Sequence, residues 1–148
     1  MKHFVLTCLV PFGTPALADI NPTDGPWFGK VRGFSSTGCP AQMVQQMQAA
    51  GPQDATFDLV WDGTEPSFGD FQWVRTDENQ FQAVINEGQD TQMGSIKIQS
   101  ILNLTVLSET AMAQTGRTTI ALNGQLADQF GSMNNCAVTH SVDYSYQG

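Results

Sequence analysis

Apolar and polar residues alternate with a period of two over most of this chain, and one stretch departs to a helical period. In residues 54–61, Phe57, Leu59 and Trp61 alternate against Thr56, Asp58 and Val60, and Asp62-Gly63 ends the segment. Phe71 and Trp73, then Phe81, Ala83 and Ile85, form two more alternating segments around Thr76-Asp77-Glu78-Asn79, a polar stretch suited to a hairpin. Residues 94–100, 102–108, 117–124 and 136–146 add further strands, while 87–92 and 125–135 read as connections. Upstream, residues 27–34 carry Gly29 and Gly33, which suit a bent or bulged strand, and the turn formers of 19–26 suit an irregular arm.

The helical stretch is residues 41–50. Pro40 is a natural first-turn residue, and Gly51-Pro52 supplies a C-terminal glycine and a stop. Met43, Val44 and Met47 make a narrow apolar stripe that reads as core against a sheet. The sum is a mostly β fold of about eight antiparallel strands in a barrel or a sandwich, with one short α-helix. A barrel explains best why nearly every strand alternates.

The 148 residues hold 14 acidic and 6 basic side chains, a formal charge of −8, without the basic stripe that nucleic acid requires. No apolar run approaches the roughly 18 residues of a membrane-spanning helix. Residues 1–18 have the form of a secretory signal peptide: Lys2 and His3 at the start, an apolar stretch from Phe4 to Phe12, and Ala16-Leu17-Ala18 as cleavage site. Acylation at Cys8 would leave only Phe4 to Leu6 as apolar core, too short for insertion. Cleavage after Ala18 leaves a single β-rich domain, residues 19–148, with 14 acids against 5 bases and a charge of −9. The expected location is a bacterial periplasm or the outside of the cell, both oxidising.

Two cysteines remain in that domain, Cys39 and Cys136, and one intramolecular pairing is open to them. Their disulfide would close a loop of about 100 residues, for which chain entropy gives about 4 to 5 kcal/mol before native strain. A redox role for Cys39, set before a helix N-terminus in Gly38-Cys39-Pro40, competes with the staple but lacks a nearby resolving cysteine.

Catalytic and metal chemistry find little support. Asp54, Asp58 and Asp62 recur every four residues, but on a strand they form a solvated face, and no calcium-loop pattern is present. The domain's one histidine, His140, alternates with Val138, Val142 and Tyr144 on an inward face, with Asp143 on the opposite one. Asp77 with Glu78, and Glu65 with Asp70, sit in turns. The expectation is a protein that is not an enzyme and carries neither cofactor nor metal.

Aromatic residues gather in the first half: Trp27, Phe28, Phe34, Phe57, Trp61, Phe71, Trp73 and Phe81. In an open-mouthed barrel some of them line a pocket; in a solid one they are core. Gly25-Pro26-Trp27 resembles the G-x-W signature that opens the first strand of lipocalin-like barrels. That resemblance implies a calycin-type barrel and a structural role for Trp27; here the helix lies between the first two strands, whereas in lipocalins it follows the barrel. The resulting expectation is a secreted, disulfide-stapled barrel binding a small apolar ligand, with Trp61, Trp73, Phe81, His140 and Tyr144 in its pocket. The alternative is a protein-interaction module, an inhibitor or envelope assembly factor, that recognises a partner through loops at 63–69 and 87–92.

Overall fold

The structure, a computed structural model, describes residues 19–148. The signal peptide expected over residues 1–18, with Cys8 and the site at Ala18, lies outside the described residues. Eight strands form one antiparallel sheet: β1 (Gly25–Thr37), β2 (Ala55–Trp61), β3 (Pro66–Ser67), β4 (Val74–Asp77), β5 (Gln80–Thr91), β6 (Gly94–Ser108), β7 (Ala111–Leu122) and β8 (Ala137–Tyr146). Their spatial order is β3-β2-β1-β8-β7-β6-β5-β4, which places the first and last long strands side by side at the centre. The sheet curls into a half-barrel, so the mostly β, barrel-like reading holds, and the strands lie in one sheet rather than in the two of a sandwich.

Alternation decides which face is concave. On β7, Met112, Gln114, Gly116, Ile120 and Leu122 are buried, while Thr115, Arg117 and Ala121 face solvent. The concave face holds two apolar clusters. One gathers Trp27, Leu59, Trp73, Phe81, Leu104, Val106 and Met112. The other centres on Ile120, Leu122 and Cys136, with Met43 and Met47 packed against it. The predicted helix, α1 (Ala41–Ala50), thus turns its Met stripe to the sheet, although none of its residues is fully buried.

Several boundaries differ from the sequence reading. Residues 87–92 are not a connection: β5 runs through Thr91, paired to β6 out to Thr91 and Gly94. Residues 125–135 hold a short helix, α2 (Gln125–Phe130), and a 3-10 turn at Gly131–Asn135, whose Asn134 carboxamide accepts from the Leu122 backbone N–H. Phe71 and Trp73 alternate in sequence but precede the strand, which begins at Val74. Gly51 is extended, with φ −71°, so α1 ends without a left-handed glycine cap. The expected bulge in β1 is present between Val31 and Gly33.

Cys39 and Cys136 form a disulfide with their Cα atoms 4.3 Å apart. It joins Cys39, two residues beyond the end of β1, to Cys136, the residue before β8, just beyond the Thr37 and Ala137 pair. At the other end of the sheet the arm at residues 19–24 lies across the strand ends. The Ile20 N–H donates to Asn79 Oδ1 (2.8 Å), Asn21 Oδ1 accepts from Trp61 Nε1 (3.0 Å), and Asp24 accepts from the Trp61 backbone N–H (2.6 Å).

Candidate functional site: an interior cavity with a polar belt

Between the two apolar clusters the inward positions change character. Ser100 on β6, Gln114, Gly116 and Thr118 on β7, and His140 on β8 form a belt of polar and small residues across the concave face. The register sets them together: Ser100 opposes Thr118, and Gly116 opposes both Leu102 and His140. A cavity of about 530 Å³ lies over this belt and opens to solvent.

Two strand glycines make room for its rings. Gly116 faces His140 so closely that an added Cβ would overlap the imidazole, and a Cβ on Gly29 would stand 2.8 Å from the Tyr144 ring. Glycine costs strand stability, and here it lets a neighbouring ring lie flat against the sheet.

Aromatic contacts build the opposite wall. Phe57 stacks on Phe68 at 5.0 Å, and both meet Tyr144 edge-on at 5.4 and 5.6 Å. Phe68 and Phe71 come from the irregular segment between β3 and β4, and Phe71 is 38% exposed at the mouth. Gly51, Pro52 and Gln53, which follow α1, complete the rim.

The polar atoms of the belt are unevenly satisfied. Ser100 and Thr118 hydroxyls bond each other at 2.8 Å. The Tyr144 hydroxyl donates to Gln114 Oε1 at 2.9 Å, and burial pushes the Tyr144 pKa up to about 12, so the phenol stays neutral. Gln114, 5% exposed, makes no other side-chain hydrogen bond among the described residues. His140 is half-buried and its pKa is lowered by desolvation alone; no hydrogen bond reaches its ring among the described residues.

Of the five residues expected in a pocket, His140 and Tyr144 line the cavity. Trp73 and Phe81 are 2% exposed inside the first cluster, and Trp61 packs edge-on against Phe81. Trp73 backs the wall indirectly, through Phe68 at 5.4 Å and Phe71 at 6.0 Å. Phe57, Phe68, Phe71 and Gln114 were not among the expected five. Gln114 lay outside the predicted strand 117–124, whereas β7 begins at Ala111 and carries it inward, and Phe68 lies outside any periodic segment. A second hollow, of about 420 Å³, is bordered by Thr115, Gly116, Arg117, Thr139 and His140, so His140 lines both hollows.

No set of three or more His, Cys, Asp or Glu side chains converges on a possible metal position among the described residues. No helix among them is long and apolar enough to cross a membrane. Comparison with protein-family models, with curated proteins and with solved structures yields no match, so the cavity itself carries the functional reading.

Proposed function

We propose that this chain is a secreted or periplasmic, non-enzymatic half-barrel that binds a small apolar molecule in its interior. One observation carries the reading: a solvent-open cavity of about 530 Å³ between two apolar clusters, walled by Phe57, Phe68, Phe71 and Tyr144. Ligand sites have this character, an apolar concavity with a few convergent polar groups. The Cys39–Cys136 disulfide supports an oxidising compartment, as cytosolic thiols are kept reduced. Trp27, near the start of β1, is fully buried, and its indole N–H donates to the Thr23 carbonyl at 2.8 Å.

Native mass spectrometry of the protein isolated from its own compartment tests the proposal. The expected result is a discrete small-molecule adduct that is lost in Ala55→Trp, a substitution at an exposed position on the cavity rim. Bare protein in both forms, together with a stoichiometric protein partner in a pull-down, would overturn it in favour of the interaction module.

A further inference from the structure

The cavity's lining also says which apolar molecules it suits. Among the described residues that wall it, none is Asp, Glu, Lys or Arg. The protein surrounding it carries an excess of acids, 14 against 6 bases over the whole chain. An anionic head group brought inside would lose its hydration and meet no cation, and a cationic one would meet no carboxylate. What the belt does offer is hydrogen bonding without charge: the imidazole of His140, unbonded among the described residues, and the amide nitrogen of Gln114 left over from the bond with Tyr144. Both line the cavity together with the rings of Phe57, Phe68 and Phe71, which favour a planar guest over a flexible chain.

Resting on the reading that the cavity binds a small molecule, we infer that its ligand is an uncharged, ring-bearing compound whose hydroxyl or carbonyl group bonds to His140 and Gln114. A fatty-acid anion does not fit this description. The cavity, about 530 Å³ and open to solvent, falls in the size range of small-molecule sites.

Three matched probes, 2-naphthol, naphthalene and 2-naphthoate, with decanoate as a fourth, separate the possibilities by calorimetric titration at neutral pH. The expected order is naphthol tightest, naphthalene weaker, and naphthoate and decanoate at least tenfold weaker than naphthol. In His140→Phe, which keeps a ring against Gly116, the advantage of naphthol over naphthalene disappears while naphthalene binding is retained. Gln114→Met reduces the same advantage and provides a second variant should His140→Phe fold poorly. Naphthoate or decanoate binding as tightly as naphthol overturns the inferred class and leaves a ligand-binding cavity standing. Equal binding of naphthol and naphthalene to the unaltered protein overturns the roles of His140 and Gln114. No heat with any of the four probes, from protein whose melting transition is intact, overturns the class together with the reading on which it rests.

Discussion

The indole of Trp61 meets the ring of Phe81 edge-on, with centroids 5.4 Å apart and planes at 86°. Their strands, β2 and β5, are separated within the sheet by β1, β8, β7 and β6. The contact therefore reaches across the open side of the half-barrel, where the arm at 19–24 also bonds Trp61 and Asn79. Edge-to-face pairs contribute about 0.5–1.5 kcal/mol beyond the area they bury.

Phe81→Ala removes this clasp from a position 2% exposed and is expected to destabilise the protein by about 3–5 kcal/mol. Val60→Ala, on the same strand as Trp61 but 58% exposed, should stay within about 0.5 kcal/mol. Urea denaturation of both variants measures the difference. A loss below about 1 kcal/mol for Phe81→Ala would mean that the open side holds without the rings.

The staple makes a second prediction. Cys136→Ala should cost about 2–5 kcal/mol, the range found when native disulfides are removed from small secreted domains. Thiol titration of the denatured, unreduced domain 19–148 should find none, and two free thiols there would contradict the Cys39–Cys136 bond.

Tyr144→Phe leaves Gln114 buried with its carbonyl unbonded, and the expected cost is about 1–3 kcal/mol. Adding Gln114→Leu to that variant should restore part of the loss, because the two residues act as a pair. A double-mutant cycle on thermal or urea unfolding checks this, and additive single losses would show that the bond contributes nothing specific.

His140 sets a pH dependence. Burial lowers its folded-state pKa below the ordinary 6.5, so the unfolded chain takes up the proton first as the pH falls. Its contribution leaves stability undiminished above about pH 6.5, reduces it as the pH drops through 6.5 toward the folded value, and is level again below that value. Comparing melting temperatures of the unaltered protein and His140→Phe from about pH 8 down to about pH 5 isolates the effect, since the acids contribute equally to both. The variant's curve should be flatter on the acidic side; parallel curves would mean that His140 titrates alike in both states.

Much of this architecture was legible in the chain because a half-buried sheet writes itself as alternation. The run from Phe57 to Trp61 and the inward series Val138, His140, Val142, Tyr144 lie where their period places them. Gly29 and Gly33 correctly marked a bulged strand, yet the reason for Gly29 was hidden: it faces Tyr144, more than a hundred residues away, and local pattern cannot report a cross-strand partner. The site itself was half visible. His140 and Tyr144 sit on a periodic strand, whereas Phe68 and Phe71 reach the cavity from an aperiodic segment whose path depends on the curl. Trp61, Trp73 and Phe81 are inward-facing, as expected, but alternation gives the face of a residue and not its height along the barrel, so it could not tell the packed end from the hollow middle. The strand character of 87–91 was missed because Glu, Gly, Gln and Asp have low β propensity, and pairing with β6 overrides it.

The open side of the half-barrel, between the β3 and β4 edges of the sheet, is bridged by side chains, with no backbone ladder across it. A molecule passing through it at Phe71 would break no main-chain hydrogen bond of the sheet. The barrier to such a passage would be the swing of one or two rings and the short segment that carries them, motions of nanoseconds to microseconds, rather than the slower opening that a sealed barrel demands. Any exchange through such an opening would run on the clock of side chains, with residence time set by how well the guest fits and not by how often the protein unfolds.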